Sequence, residues 1–371
     1  MASKPSEVGS EVRPSIDFTS SLYLGIAHPS RSLRPWARLT TGKPAALETP
    51  PSARALSQQL ARLQDCERTI LLPSTLHLFF DLFELLRREE ISIFVDAGAY
   101  PIARWAAERA TSHGVPLRQI AHYRPKAARL AIEKAAGRGR RPVILVDGFC
   151  PECGRPAPLR EYLECIEPHG GYVVLDDTQA LGIWGAAPGP ENPYGTGGGG
   201  SLRLHAIRSP QLILGSSLAK GFGAPLAALS GSARLVERFA RVSRTRVHCS
   251  APSIAVLRAA EHAMHINTLH GDALRRRLAR LVRRFRDNIV GAGLHGGAGL
   301  FPVQMLVPEG DRDAVRLQRL LRSAGVRTAV VRGLAPPRAR LTFVINASHT
   351  SGDIDRATGA LLAVVQSQTS C

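Results

Sequence analysis

Short apolar runs alternate with amphipathic segments along most of this chain. The runs have the length and β-branched content of buried strands, and the segments between them repeat apolar residues at helical spacing. Strands are predicted at residues 69–72, 91–95, 115–120, 142–146, 172–175, 211–214 and 225–229, and helices at residues 53–63, 78–86, 102–113, 127–136 and 159–166. This alternation predicts an α/β domain with a mostly parallel sheet that is covered on both faces.

A second group of elements follows a long basic helical region that begins near residue 254. Strands are predicted at residues 303–307 and 340–345, and helices at residues 312–324 and 354–366. These elements predict a smaller α/β domain, and the length of 371 residues also suggests about two domains. We expect an N-terminal segment (1–50) that joins the small domain, a large domain (51–285) and a small C-terminal domain (286–371).

One lysine, Lys220, lies in a glycine-edged connection between two predicted strands. Burying a lysine as a cation is costly, so a lysine inside a fold is usually paired, or deprotonated and used as a nucleophile. A solvated lysine on a surface hairpin fits the same local pattern. The stretch alone leaves both interpretations open.

Polar residues follow several of the predicted strands. Each of them alone could be a helix cap or a turn residue. Ligands of parallel α/β sheets, however, collect at the carboxyl ends of the strands. The polar residues at these ends therefore predict one site, and they are Ser74, Thr75, Asp96, Asp147, Asp176, Asp177, Ser216 and Ser217.

The net charge of +18 makes nucleic acid a candidate partner. Arginines in residues 274–284, however, alternate with apolar residues at helical spacing, which predicts a solvated helix face. Aromatic residues make up only 5% of the chain, too few to favour base stacking. We therefore expect no nucleic-acid partner, and the charge suits an anionic substrate such as a coenzyme A or carrier-protein thioester.

Other compositional features concern membranes and the compartment. The sequence contains no run of about 18 apolar residues, so no membrane span is expected. Residues 1–7 lack an apolar signal core and are interpreted as a loose tail of a cytoplasmic protein. Residues 195–200 contain five glycines and are interpreted as a flexible insertion, since no Lys-Ser or Lys-Thr follows them.

The six cysteines are scattered, which fits a reducing compartment better than a disulfide scaffold. Cys150 and Cys153 have the spacing of a zinc half-site or a redox pair, but no second pair completes a zinc site of four ligands. We therefore expect a turn with two inert thiols and no metal. A metal or redox role for this pair stays open.

Two segments in this order, residues 176–185 (DDTQALGIWG) and residues 217–223 (SLAKGFG), resemble the fold-type I pyridoxal-phosphate enzymes, and among them the α-oxoamine synthases. Residues 23–25 (YLG) and 157–159 (APL) resemble further motifs of that family. The resemblance implies a large pyridoxal-phosphate domain with a mostly parallel sheet and a small C-terminal α/β domain. It also implies a homodimer and the cofactor pyridoxal 5'-phosphate.

Residue by residue, the resemblance implies these roles. Lys220 would hold the cofactor as a Schiff base and later transfer a proton, and Asp176 would pair with the pyridinium nitrogen. The phosphate would be bound by the Ser217 hydroxyl, by the backbone N–H groups of Thr75 and Leu76, and by Ser250 of a neighbouring subunit.

Other positions depart from the family pattern. Tyr100 replaces the histidine that stacks on the cofactor ring, and Gln179 replaces the histidine that contacts its phenolic oxygen. Ser21 replaces an asparagine of the N-terminal motif. Of two arginines expected near the C-terminus, Arg340 remains and Thr342 replaces the other, so the substrate side has changed more than the cofactor side.

The resemblance implies a pyridoxal-phosphate-dependent acyltransferase that condenses an amino acid with a coenzyme A or carrier-protein thioester, with decarboxylation to an α-aminoketone. The departures keep an aminotransferase, or another amino-acid-modifying enzyme with this cofactor, as an alternative. A non-catalytic binding protein on the same fold is the second alternative.

Overall fold

The computed structural model describes residues 15–33, 36–136, 139–290, 294–296, 299–308, 313–333 and 338–367. The predicted tail at residues 1–7 lies outside the described residues, as does Cys371. The helices are α1 (Pro51–Gln64), α2 (Thr75–Leu86), α3 (Pro101–Thr111), α4 (Pro125–Ala136), α5 (Leu159–Ile166), α6 (Ser201–His205), α7 (Ala233–Val242), α8 (Arg244–His248), α9 (Ile254–Asn288), α10 (Ala314–Ser323) and α11 (Ser351–Ser367).

The strands are β1 (Ile16–Asp17), β2 (Arg68–Leu72), β3 (Ile91–Asp96), β4 (Leu117–Ile120), β5 (Arg141–Asp147), β6 (Phe149–Cys150), β7 (Arg155–Pro156), β8 (Tyr172–Asp176), β9 (Leu212–Ser217), β10 (Ala227–Gly231), β11 (Leu294–Gly296), β12 (Val303–Pro308), β13 (Val326–Arg327), β14 (Ala329–Arg332) and β15 (Ala339–Val344). Each strand that the apolar pattern predicts overlaps one of these.

A seven-stranded sheet in the order β2-β10-β9-β8-β5-β3-β4 forms the centre of the molecule. The pairs β9-β8, β8-β5, β5-β3 and β3-β4 are parallel, whereas β10 runs antiparallel to both of its neighbours. The prediction of a mostly parallel α/β sheet is therefore confirmed.

The apolar strands are buried because helices cover both faces of this sheet. Successive side chains of a strand point to opposite faces, and β5 shows the consequence. Val143 and Leu145 pack in one core with α2, α3 and α7, whereas Ile144 and Val146 pack in another with α4 and α5. A run that is apolar at every position is what two covered faces require.

The C-terminal part forms a separate four-stranded sheet in the order β11-β12-β15-β14. The N-terminal β1 pairs in parallel with β13, which places Ile16 beside Val326. The N-terminal segment thus contacts the C-terminal elements. The domain boundaries at residues 50 and 285 stay a prediction.

The long helix α9 connects the two regions. Its N-terminus is capped by the Ser253 hydroxyl, which accepts the N–H of Val256. Near its other end, the ring of Phe285 lies 4.9 Å from that of Phe343 on β15. The predicted solvated face of arginines is present on this helix. The one exception among the arginines of residues 274–284 is Arg275, whose side chain is only 2% exposed.

Arg275 explains why the prediction of a flexible glycine insertion at residues 195–200 is wrong. Gly198, Gly199 and Gly200 are buried. A Cβ atom on Gly198 would collide with the Arg275 guanidinium, and one on Gly200 (φ +84°) would collide with the carboxylate of Asp177. The glycines are needed for close packing and for a left-handed backbone.

Within the described part of the chain, none of the helices combines the length and the apolarity that crossing a membrane requires.

Candidate functional site

Strand pairing brings most of the predicted site residues to one edge of the central sheet. Asp147 at the end of β5 is paired with Asp176 at the end of β8, and Asp176 is paired with Gly215 of β9. Ser217, which ends β9, is paired with Ala227, and Ala227 is paired with Leu72 at the end of β2. The start of α2, three residues after Leu72, therefore belongs to the same edge.

Lys220 lies in the connection between β9 and β10, above this edge. The connection is packed into the protein, because Leu218 and Phe222 are 1% and 0% exposed. The N–H of Leu218 donates to the Leu226 carbonyl at 2.9 Å, and that of Phe222 donates to the Leu218 carbonyl at 3.2 Å. These contacts exclude the interpretation as a solvated surface hairpin.

Lys220 lies near two acidic side chains, Asp176 and Asp147. Desolvation lowers the pKa of the Lys220 ammonium, and the negative charges of Asp176 and Asp147 partly oppose that shift. Desolvation also raises the pKa of Asp176, and it raises the pKa of Asp147 well above its usual range with a further contribution from Asp176. Two buried carboxyl groups thus lie near one amine, and a bound cationic group would favour the ionised form of the carboxyl groups.

The Asp176 carboxylate accepts the backbone N–H of Thr178 at 3.1 Å. A carboxylate offers about four acceptor positions on its two oxygens, so it retains capacity for another donor. The adjacent Asp177 points elsewhere, because its carboxylate accepts the N–H of Ser201 at 3.1 Å and also the Ser201 hydroxyl. Burial raises the pKa of Asp177 to about 7. Of the two neighbouring aspartates, only Asp176 faces Lys220.

Tyr100 is placed next to Lys220 by the start of α3. Its backbone N–H donates to Asp147 Oδ1 at 3.0 Å, and its ring centroid lies 5.7 Å from Lys220 Nζ. Tyr100 is 49% exposed, so its ring is accessible to a ligand. The sequence did not single out Asp147 beyond its position at a strand end, yet this carboxylate contacts Tyr100 and acts on Lys220.

Gln179 is held by a residue from the N-terminal segment. The hydroxyl of buried Tyr23 donates to Gln179 Oε1 at 2.6 Å, which leaves the amide NH₂ group of Gln179 to donate elsewhere. The Tyr23 N–H in turn donates to the Ser21 carbonyl at 2.8 Å. Ser21 is therefore tied to Gln179 through Tyr23, a link that the short match at residues 23–25 could not show.

Two groups of donors at this edge suit an anion. The Ser74 hydroxyl caps α2 by accepting the N–H of His77. The N–H groups of Thr75 and Leu76, in the first turn of α2, have no acceptor within the helix, and a helix N-terminus favours an anion. The Ser217 hydroxyl accepts the N–H of Ala219 at 3.2 Å and keeps its own hydrogen for donation.

The remaining predicted residues have different surroundings. Ser250 is exposed in the segment between α8 and α9 and forms a bridge with Pro44. Arg340 Nη2 donates to Glu152 Oε1 at 2.6 Å, and Arg340 Nε is buried without a partner among the described residues. Thr342 is 2% exposed, and its hydroxyl donates to the Arg340 carbonyl at 3.3 Å. Of these three residues, Arg340 presents a free donor.

Comparison with known proteins gives the arrangement a context. The 8-amino-7-oxononanoate synthase of Alcanivorax borkumensis is 29% identical over 245 residues, which are 65% of this chain and 59% of that protein. The synthase of the same name from Alkalilimnicola ehrlichii is 26% identical over 359 residues, which are 94% of this chain and 88% of that protein. The first of these matches thus spans about three fifths of the relative's length.

Solved structures extend the likeness to the fold. A variant of the serine palmitoyltransferase from S. paucimobilis, with a bound PLP–myriocin aldimine, superposes with a TM-score of 0.81 at 15% identity and covers 96% of this chain and 89% of that chain. No family model matches the sequence.

Proposed function

We propose that this chain is a member of the α-oxoamine synthase group of the fold-type I pyridoxal-phosphate enzymes, that it binds pyridoxal phosphate and that it joins an amino acid to an acyl thioester. The products would be an α-aminoketone, carbon dioxide and the free thiol. The observation that carries the proposal is the pair Asp176 and Lys220 at one sheet edge, with Tyr100 beside them.

The residues of the site fit the cofactor. The excess of carboxylate over ammonium at Lys220, Asp176 and Asp147 suits a ring that carries a protonated nitrogen. The accessible ring of Tyr100 suits stacking on a flat heterocycle. The start of α2 and the Ser217 hydroxyl suit a phosphate group.

In this proposal each residue has one task. Asp176 holds the proton on the ring nitrogen, and Tyr100 positions the ring. The Gln179 amide, fixed by Tyr23, donates to the phenolic oxygen. Ser217, Thr75 and Leu76 hold the phosphate, joined by Ser250 of a second subunit if the protein is a homodimer.

The cofactor, when bound, supplies an electron-accepting ring that stabilises negative charge at the α-carbon of an amino acid. Lys220 would hold the cofactor covalently and would then move a proton at that carbon. The pKa of Lys220 is lowered by desolvation, which favours the neutral amine that this task requires.

The substrate side of the proposal rests on Arg340, whose guanidinium already binds one carboxylate, that of Glu152, at 2.6 Å. Ser21 and Thr342 are proposed as further residues of the substrate side. The exposed arginines of α9 and the net charge of +18 suit a thioester that is itself anionic, either coenzyme A or an acyl carrier protein. We propose a cytoplasmic location for this reaction.

Absorbance spectroscopy tests the cofactor first. Purified protein mixed with pyridoxal phosphate should gain visible absorbance that survives desalting, and Lys220→Ala should lose it. Lys134→Ala, which changes an exposed lysine on α4, serves as the matched control. A wild-type protein that retains no cofactor would refute the proposal.

Carbon dioxide release then tests the reaction. We expect release from an amino acid only when an acyl thioester is present. Conversion of an amino compound without any thioester would favour the aminotransferase alternative. Salt-sensitive DNA binding by a protein without cofactor would favour a binding protein.

A further inference from the structure

A second cluster of chemically reactive side chains lies next to the site and takes no part in the proposed reaction. The ring of His122 and the thiols of Cys150 and Cys153 each offer one ligand atom, and these atoms all lie within 4.8 Å of one another. We propose that these three residues bind a Zn²⁺ ion. The proposal does not depend on the proposed function.

The distances within the cluster fit tetrahedral zinc. Typical bonds of about 2.3 Å to sulfur and about 2.0–2.1 Å to nitrogen imply a sulfur-to-nitrogen separation of about 3.5 Å across a tetrahedral angle. The observed separation between Cys153 Sγ and His122 Nε2 is 3.5 Å. One pair of ligand atoms thus already has the separation that tetrahedral zinc requires, and the other separations are at most 4.8 Å.

The histidine is held in the orientation that a ligand needs. His122 Nδ1 lies 2.6 Å from Asp96 Oδ1 at the end of β3, so the carboxylate occupies Nδ1 and Nε2 is the nitrogen that faces Cys153. Asp96 is 0% exposed and also accepts the N–H groups of Gly98 at 2.7 Å and Tyr123 at 2.9 Å. A carboxylate fixed behind a histidine in this way is the usual outer partner of a zinc ligand.

The two cysteines are placed by a short hairpin. Strands β6 and β7 pair Cys150 with Arg155, and the turn closes with the N–H of Gly154 donating to the Cys150 carbonyl at 2.9 Å. Gly154 has φ +68°, which favours glycine there. The N–H of Cys153 points at Cys150 Sγ at 3.4 Å, which compensates part of the negative charge on a thiolate ligand. The hairpin therefore presents both sulfurs to one point.

The site differs from a structural zinc finger because three protein ligands leave the fourth position open. We assign that position to water. The acid within the hairpin, Glu152, is bonded to Arg340 of β15 instead. A zinc ion would therefore stiffen a hairpin that contacts the C-terminal sheet through Glu152 and Arg340.

Metal analysis of the intact protein tests the proposal. Protein produced with added zinc and purified without chelators should contain about one zinc per chain. Cys150→Ser, Cys153→Ser and His122→Gln should each lose it. Cys165→Ser is the matched control, because Cys165 is also buried but bonds the Pro125 carbonyl from α5.

Cobalt substitution of the wild-type protein gives a second measurement that does not depend on variants that could fail to fold. Co²⁺ should produce thiolate charge-transfer absorbance in the near ultraviolet, and Zn²⁺ should abolish it. Reduced protein with both thiols intact that binds neither ion would overturn the proposal. It would equally be overturned if a disulfide forms between Cys150 and Cys153 while the reduced protein takes up no zinc, since the pair would then be redox-active only.

Discussion

The Asp176 carboxylate has no positively charged partner of its own within the described part of the protein. The buried carboxylate receives the Thr178 N–H and shares the Lys220 cation with Asp147. A carboxylate in such surroundings is stabilised by a bound cationic ring, because the ring supplies the missing donor and charge. Burial raises the pKa values of Asp176 and Asp147, and a cationic ring bound beside them would favour their ionised forms.

We therefore expect Asp176→Asn to abolish most of the activity while leaving the fold intact. A hydrogen bond between charged groups contributes about 1.5–3 kcal/mol, so losing it from the bound cofactor should lower kcat/KM by about 10- to 100-fold. Steady-state kinetics together with circular dichroism measure both effects. A variant with wild-type kcat/KM would contradict the role of Asp176 at the ring nitrogen.

In the proposed function, the hydroxyl of Tyr23 acts on the cofactor only through Gln179. In Tyr23→Phe, the Gln179 oxygen loses its donor at 2.6 Å, so the amide is no longer fixed. One hydrogen bond contributes about 0.5–1.5 kcal/mol, so we expect cofactor affinity to fall by about 3- to 10-fold in equilibrium titrations. Tyr194→Phe is the control, because the buried Tyr194 hydroxyl bonds the Leu300 carbonyl. An equal loss of cofactor affinity in both variants would mean that general destabilisation is the cause.

At the scale of elements, the local sequence pattern was enough to predict the strands and helices, but it gave a wrong prediction for the glycine-rich residues 195–200. The strands of the central sheet are predicted because their apolar runs report burial on both faces, which is a property of the run itself. The packing of Gly198 depends on Arg275, which is distant in the sequence and resembles the solvated arginines around it. No local signal distinguishes this arginine from its neighbours.

Arg275→Met tests how much that arginine stabilises the glycine turn. Arg275 Nη1 donates to the Gly182 carbonyl at 2.9 Å and to Asn267 Oδ1 at 2.8 Å, so the substitution leaves two buried acceptors without a donor. We expect the free energy of unfolding to fall by about 2–5 kcal/mol in chemical denaturation. Arg276→Met, at an exposed neighbour, should change it by less than about 0.5 kcal/mol. Similar losses in both variants would argue against the buried contacts.

Asp177 makes the same turn sensitive to pH. Burial raises its pKa from 3.8 to about 7, so the folded protein binds more protons than the unfolded chain between these values, and stability contributed by Asp177 falls as the pH rises. The titratable groups that act on it are Asp176 and Cys66. The unfolding free energy of wild type relative to Asp177→Asn should therefore decrease from about pH 4 to about pH 7, by as much as about 4 kcal/mol.

Denaturant unfolding at several pH values measures this difference. The control is Asp287→Asn, which changes an exposed carboxylate on α9. A difference between wild type and Asp177→Asn that does not vary with pH would show that Asp177 stays ionised throughout the range.

At the scale of the whole molecule, the proposed site depends on parts that are far apart in the sequence. Tyr23 comes from the N-terminal segment, the strand ends come from the central sheet, and Arg340 comes from the C-terminal sheet. The family resemblance identifies Lys220, Asp176 and Ser217 because each lies within a local motif. It could not identify Glu152 as the partner of Arg340, since this contact joins a hairpin loop to a strand 188 positions away.

Substitutions of Glu152 and Arg340 are expected to change KM for the amino acid in opposite directions. Both side chains are mostly buried, with 14% and 16% exposure, and Arg340 Nε has no described partner. If Arg340 binds the substrate carboxylate, Arg340→Met should raise KM for the amino acid by about 10- to 100-fold, as expected for a charged hydrogen bond of about 1.5–3 kcal/mol. Glu152→Gln should instead lower KM, because the guanidinium is released from a competing carboxylate.

Steady-state kinetics with varied amino acid, at a saturating concentration of thioester, distinguish these effects. Arg338→Met, at an exposed arginine just before β15, is the matched control and should leave KM unchanged. If Glu152→Gln and Arg340→Met both raise KM by the same factor, the pair serves only to hold the hairpin against the C-terminal sheet. Opposite changes would instead mean that Glu152 occupies the guanidinium in the resting enzyme and that a substrate carboxylate must compete with it to bind.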